Sequence, residues 1–238
     1  MTDNNNNDDN SVFQYKILDE SHIEKCAHVM AQAFCDSPSY KYIFQNFAQE
    51  KDRIHALQWI FTRNMYLLFR KYPSALRGMV KATQNSNGEA TTTEKEQVVA
   101  CFSFAPNPHQ KKSFVELLSI GLWQVPFRFG LGSYRRLLQV VEDMENKYAK
   151  SFDMAEENYI MLERMVVLPE YQGQGLGTKA LKAALEESTN VEVRLSTQEE
   201  RNVTFYKRLG FEVAGEQKFY DNDEEFKFHS WYMLRKEK

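Results

Sequence analysis

Tyr171-Gln172-Gly173-Gln174-Gly175-Leu176-Gly177 is the stretch on which the reading of this chain turns. It lies between an apolar run, Tyr159 to Leu168, and an amphipathic run, Leu176 to Leu185. That order predicts a strand, a glycine turn and the start of a helix. Bare glycines bring backbone N–H groups within reach of a ligand, and a helix N-terminus favours anionic oxygens. The expected occupant is a phosphate-bearing ligand, and three kinds of loop compete.

A Walker loop needs Gly-Lys followed by Ser or Thr, so that the lysine and a magnesium ligand stand together. Here Thr178-Lys179 follows Gly177, which excludes it. A dinucleotide fingerprint counted from Gly173 and Gly175 needs a third glycine where Thr178 stands, and it belongs in an opening βαβ unit rather than late in the chain. The third pattern, Gln-x-x-Gly-x-Gly, is met by Gln172, Gly175 and Gly177. It resembles motif A of the GNAT superfamily, the acetyl-CoA-dependent N-acetyltransferases. Asn202-Val-Thr-Phe205-Tyr206-Lys-Arg-Leu-Gly210-Phe211 resembles motif B, and Leu162 to Glu170 resembles the strand before the pyrophosphate loop. Leu195-Ser196-Thr197, then Arg201-Asn202-Val203, and the ending Trp231-Tyr232-Met233-Leu234-Arg235 resemble the branch that includes puromycin N-acetyltransferase. Ala33-Phe34 with Asp36-Ser37-Pro38 resembles its first-helix region.

The resemblance implies a GNAT fold of α/β (α+β) class over roughly Phe13 to Arg235: a mixed, mostly antiparallel sheet flanked by helices, with a helical insert (about 107–156) before the acetyl-CoA-binding strand. It implies acetyl-CoA as co-substrate and an amine as acceptor. Gly173, Gln174, Gly175, Leu176, Gly177 and Thr178, with Gln172, would hold the pyrophosphate. Met165, Val166 and Val167 would pair with the pantetheine arm like an added strand. The N–H near Val167 would polarise the thioester carbonyl. An alkylamine has a pKa of about 10, so a general base is useful at neutral pH. Glu163 is the candidate base and Tyr206 the candidate acid for the departing thiolate. Asn202 is expected to contact the coenzyme arm. Here the chain departs from the usual pattern, since Glu199 and Glu200 stand where the superfamily's motif B asparagine more often lies.

Read outward from the loop, the rest of the chain is that of an ordinary globular protein. At 238 residues, one domain over 11–238 is expected, behind a polar, disordered tail of residues 1–10. Hydrophobic content of 42% and charged content of 26% are typical, and a net charge of -3 gives no footing for nucleic-acid binding. No apolar run approaches the roughly 20 residues of a membrane span. Met1 to Asn10 lacks the basic and apolar regions of a secretory signal. Cys26, Cys35 and Cys101 form no Cys-x-x-Cys pair and are expected as buried free thiols in a reducing, cytoplasmic setting. The five histidines, His22, His28, His55, His109 and His229, lack metal-ligand spacing, so no metal is expected.

Periodicity predicts the remaining elements. Phe13, Tyr15 and Ile17 alternate as a first strand, and Ser21 is placed to cap a helix carrying Ile23, Ala27 and Met30. A helix follows from about Ala48 to Arg70, then strands near Ala75–Ala82 and Gln97–Phe104 around a polar loop at Gln84–Glu94. Gln110 to Lys150 reads as helical, divided at Pro126, and packs as core or lid rather than on a membrane. Val191, Val193 and Leu195 alternate as a strand, Gly210 closes a short helix, and Phe211–Tyr220 with Phe226–Leu234 forms a terminal hairpin. Asp221, Asp223, Glu224 and Glu225 crowd its turn, which reads first as a solvated turn and second as an acidic rim for a cationic amine. A monomer or homodimer is expected. The rival to the enzyme is a non-catalytic acyl-CoA-binding sensor using the insert as an interaction surface. Glu163 and Tyr206 speak against it, since a sensor has no need of them.

Overall fold

Seven strands form one sheet in the order β1-β2-β3-β4-β5-β7-β6. The computed structural model describes residues 11–83, 96–106, 119, 121–152, 158–188, 190–220 and 224–236. In chain order the elements are β1 (Ser11–Ile17), α1 (Ile23–Phe34), α2 (Pro38–Ile43), α3 (Glu50–Lys71), β2 (Leu76–Thr83), β3 (Gln97–Pro106), α4 (Val125–Phe129) and α5 (Leu131–Ser151), followed by β4 (Tyr159–Val167), α6 (Leu176–Glu186), β5 (Glu192–Thr197), α7 (Glu200–Lys207), β6 (Glu212–Phe219) and β7 (Phe228–Arg235). Among these strands only β4 and β5 pair in parallel. This is the mixed, mostly antiparallel sheet that the sequence led us to expect.

The sheet is covered on both faces, and β3 shows why. Its residues Val98 to Ala105 are all buried, because successive side chains point to opposite faces and both faces are packed. Val98 and Cys101 join the core under α1 and α3, while Val99, Phe102 and Phe104 join the core under α6 and α7. Leu181, Ala184 and Leu185 supply the inward side of α6, as their helical spacing predicts. The three cysteines are buried and unbridged.

Several expectations are corrected. Asp19, not Ser21, makes the first cap: its carboxylate accepts from the Ser21 N–H at 2.9 Å, ahead of a short 3-10 turn that delays α1 to Ile23. The predicted helix ahead of Pro126 lies, over residues 107–118, outside the described residues, and Pro126 itself is not at a helix end. It sits in the first turn of α4, where its missing N–H costs nothing, and the break falls at Gly130, whose φ is +86°. The spacing also missed α2, a helix of 6 residues too short to show a period. Ile17, which alternates with Phe13 and Tyr15, is 53% exposed at the end of edge strand β1. The 1–10 tail and the 84–94 loop lie outside the described residues.

Gly78 shows how tightly β2 and β3 are set. A Cβ there would stand 2.2 Å from the Ala100 carbonyl oxygen, next to the register shift between Met79 and Val80. Gly78→Val is expected to destabilise the fold by about 1–3 kcal/mol through overpacking. An unchanged urea midpoint would refute that close approach.

Candidate active site

Strand β4 has a different neighbourhood in each half. From Ile160 to Leu162 it pairs with β3 on one side and β5 on the other. Beyond Leu162 the pairing with β5 stops, although β5 itself continues to Thr197 alongside β7. The cause lies in β4. Its register against β3 shifts between Cys101↔Val166 and Ser103↔Glu163, so one extra residue is accommodated, and Arg164 takes a left-handed φ of +54°. A bulge of this kind bends a strand and increases its twist. The two strands therefore diverge and leave a gap.

The backbone facing that gap can be assigned. The Leu168 N–H donates to the Val99 carbonyl at 2.9 Å, across β3. Backbone groups point to alternate edges of a strand. Those of Val166 and Leu168 therefore face β3, and those of Val167 face the gap. Met165 and Val167 pack their side chains on the α6 and α7 side, whereas Val166 is buried under α1 and α3. Of the three residues expected along the pantetheine, Val166 thus turns both its backbone and its side chain away.

At the end of β4 the glycine loop turns into α6. Gly173 and Gly175 have φ of +78° and +75°, and a Cβ at either would meet nothing within 4 Å. These two glycines provide conformation and open space. Gly177 serves packing instead, since a Cβ there would lie 3.1 Å from Val167 Cγ2 and 3.3 Å from Met165 Cε. The first bond into α6 runs from the Lys179 N–H to the Gly175 carbonyl at 2.9 Å, which leaves the N–H groups of Leu176, Gly177 and Thr178 without intrahelical partners. No side chain caps this helix, and its first turn carries no acid. The positive end of the helix is free for an anion. The loop's glutamines brace it: Gln172 Nε2 donates to the Val167 carbonyl at 3.0 Å and Gln174 Nε2 to the Glu170 carbonyl at 3.2 Å.

Glu163 and Tyr206 lie on opposite faces of the sheet. Neighbouring strand residues normally diverge, yet Glu163 Oε2 accepts from Arg164 Nη1 at 3.1 Å, because the bulge turns both side chains to the α1–α3 face. The Arg164 guanidinium also lies 5.5 Å from the Phe61 ring centre and interacts with the Tyr40 hydroxyl. Burial lowers the Arg164 pKa, but the carboxylate of Glu163 and the Tyr40 oxygen outweigh it and hold it above its ordinary value. Tyr206 sits on α7, its ring edge-on to Phe205 and Phe211. Its hydroxyl makes no hydrogen bond among the described residues, and burial pushes its pKa well up. Phe205, its neighbour, comes within 4.0 Å of where a Cβ on Gly177 would stand, so α7 borders the start of α6.

The end of β5 completes the surround. Asn202 Nδ2, on the side chain expected to meet the coenzyme arm, donates to Thr197 Oγ1 at 3.2 Å. Ser37 Oγ donates to Gln198 Oε1 at 3.0 Å, and Gln198 Nε2 donates to Ser39 Oγ at 3.2 Å. These bonds tie the start of α2 to the end of β5. Further out, Tyr42 of α2 stacks on Tyr220 at 4.4 Å between ring centres, and the Tyr220 hydroxyl donates to Asp143 Oδ2 at 3.3 Å. In the acidic turn, Glu224 accepts from Lys227 at 2.6 Å, and Asp221 and Asp223 lie outside the described residues. Arg164, Tyr40 and the Ser37–Gln198–Ser39 clip were missed from sequence. The one available signal was the adjacent charges Glu163-Arg164 inside an apolar strand.

A cleft of about 390 Å³, lined by Val29, Gln32, Ile54, Val166 and Glu170, opens beside the end of β4 on the α1–α3 face. Cys35, Asp36 and Glu50 bring potential metal-ligand atoms within 4.8 Å of one another. Asp36 is already held by Lys41 at 3.1 Å and Arg53 at 3.3 Å, and burial pushes the Cys35 thiol up. Two cations and a protonated thiol make that cluster a poor cation site.

The profile of the family described as Acetyltransferase (GNAT) domain matches residues 135–213, a span holding β4, the glycine loop, α6, β5 and α7. No curated protein matches the sequence. Solved structures share the fold at low identity. A Drosophila melanogaster polyamine N-acetyltransferase is 10% identical, covering 94% of this chain and 99% of its own, with a TM-score of 0.57. A Corynebacterium glutamicum protein described as histone acetyltransferase HPA2 and related acetyltransferase is 16% identical, covering 95% and 97%, at 0.55. A Staphylococcus aureus N-acetyltransferase is 13% identical, covering 92% and 99%, at 0.53. The fold is that of the GNAT acetyltransferases, and the chain carries a GNAT acetyltransferase domain match across the part that builds the gap.

The bulge can be tested directly. A β-branched residue at a left-handed φ costs about 1–2 kcal/mol that glycine avoids. Arg164→Val is therefore expected to be less stable than Arg164→Gly by about that amount in urea unfolding. Equal stability would mean that position 164 is not left-handed.

Proposed function

We propose that this protein transfers the acetyl group of acetyl-CoA to a primary amine of a small molecule or peptide, by direct attack within a ternary complex. The observation that carries this reading is the second half of β4, which keeps an open edge on the β5 side where the Val167 N–H faces the gap and which runs through the glycine loop into a helix start with free N–H groups. Coenzyme A has the complementary shape. Its pyrophosphate suits the amides of residues 173–178, and its pantetheine amides suit the open edge at Met165 and Val167, added like a strand. The Val167 N–H then stands where charge develops on the thioester oxygen.

The amine approaches from the α1–α3 face, where Glu163 lies. As the N–C bond forms and the C–S bond breaks, the amine proton passes to Glu163, directly or through water, and the thiolate takes a proton from Tyr206 on the other face. Arg164 holds the Glu163 carboxylate in place, donating to it at 3.1 Å on the face from which the amine approaches. Tyr206 holds its proton at neutral pH, and its hydroxyl, without a hydrogen-bond partner among the described residues, is free to donate to the thiolate as its charge develops. Gln172 and Asn202 act by bracing the loop and the β5 end. The buried free thiols support a reducing, cytoplasmic setting. Among the described residues no helix is long and apolar enough to cross a membrane. The Leu195-Ser196-Thr197 and Trp231–Arg235 stretches favour the puromycin N-acetyltransferase-like branch.

Thiol release measured across a panel of amines, polyamines and peptide N-termini tests the activity. Tight acetyl-CoA binding without turnover on any amine would instead make the protein an acyl-CoA sensor. Tyr206→Phe is expected to lower kcat by about 10²-fold or more with coenzyme affinity kept. Unchanged turnover at saturation would remove the acid role. Glu163→Gln should lose a similar factor at pH 7 and recover as pH approaches the amine's own pKa of about 10, where free amine needs no base. A loss independent of pH would assign Glu163 to structure. Gly175→Leu forces a side chain into the left-handed loop and is expected to abolish acetyl-CoA binding in calorimetry.

A further inference from the structure

We infer that the outer face of α5 joins two copies of this chain as an antiparallel pair. Trp123, Phe127, Leu131, Leu138 and Val141 are 45% to 82% exposed and cluster on α4, α5 and the turn before them. The other large apolar side chains exposed among the described residues, Val12 at 36% and Ile17 at 53%, lie on edge strand β1. Trp123 and Phe127 meet edge-on at 6.4 Å between ring centres, Leu131, Leu138 and Val141 follow at helical spacing, and large apolar side chains gathered in solvent in this way mark an interaction surface.

The inner side of α5 is already committed: Val140 and Tyr148 are buried and Asp143 accepts from Tyr220, while Gln139, exposed at the margin, accepts from Tyr42. The outer side is not. Residues seven apart return to one side of a helix with a drift of about 20°. Leu131, Leu138 and Glu145 therefore form one line, with Val141 on one flank and Arg135 and Glu142 together on the other. Arg135, Glu142 and Glu145 are exposed and have no ion-pair partner among the described residues.

Charge selects the occupant. The face is basic towards its N-terminus at Arg135 and acidic towards its C-terminus at Glu142 and Glu145. A twofold axis passing between Leu138 and Gln139, perpendicular to both helices, reverses the helix direction and keeps each flank on its own side. Arg135 then meets the partner's Glu142, the reverse contact forms symmetrically, and the two Leu138 side chains meet near the axis. A parallel pair would set like charges at equal heights. An anionic membrane would meet Glu142 and Glu145 beside the apolar line and be repelled. A single helix pair with this apolar line falls at the small end of specific interfaces, so the pair is expected to be reversible.

Sedimentation of the full chain over a wide concentration range tests this independently of any enzymatic activity. The wild type is expected to dimerise and to dissociate as salt rises. Leu138→Glu should be monomeric. Arg135→Glu should weaken the dimer by about tenfold, and adding Glu142→Arg to it should restore the affinity. All of these positions are solvent-exposed, so circular dichroism should show the wild-type fold. A monomeric wild type, a dimer insensitive to both single changes, or anionic-vesicle binding without self-association would each overturn the proposal.

Discussion

A strand inside a sheet must satisfy the backbone groups along both of its edges, and β4 does so over only its first half. The extra residue at Arg164 bends the strand, β5 runs on with β7, and the second half of β4 keeps one open edge. That edge is the constraint from which the rest of the site follows. An unpaired N–H such as that of Val167 is costly to bury and so must face water or a ligand. The glycine loop and the bare start of α6 lie where this edge ends. Donors for an amide-rich arm and donors for an anion are therefore arranged along one line.

The same bulge places the charges. Without a left-handed residue, Glu163 and Arg164 would point to opposite faces. With it, they meet as a pair on the face where α1, α2 and α3 pack. Tyr206 stands on the other face, in a helix that follows directly from β5. A gap between two strands gives access from both faces of the sheet. Such access suits the proposed reaction, in which one group would remove a proton from an attacking amine and another would supply one to the thiolate leaving on the far side.

The glycine pattern, the helical face of α6 and the strand before them were legible because each rests on short-range stereochemistry. Gly173 and Gly175 are needed for positive φ, and Gly177 for contact with Val167 and Met165. Periodicity likewise located α3 and the terminal hairpin. It failed where the determinants are not periodic. The 6 residues of α2 carry too little pattern. Gly130, not Pro126, ends a helix because proline in a first turn is harmless. Arg164 looked like one more surface charge, since a bulge is visible only in the pairing of two strands. Gln172 and Asn202 are expected ligand contacts, and the structure adds a protein partner for the amide nitrogen of each, the Val167 carbonyl and Thr197 Oγ1, while their amide oxygens keep acceptor capacity.

By itself the sequence determined the local parts: a strand, a glycine turn whose φ values only glycine takes easily, and an amphipathic helix behind it. Those depend on residues within a few positions of one another. The tertiary structure alone decided that β4 and β5 part after Leu162, that the open edge belongs to Val167 and not Val166, and that Glu163 is held by Arg164. Each of these depends on register between strands distant in the chain, where a shift of one residue reverses which edge or face a group occupies.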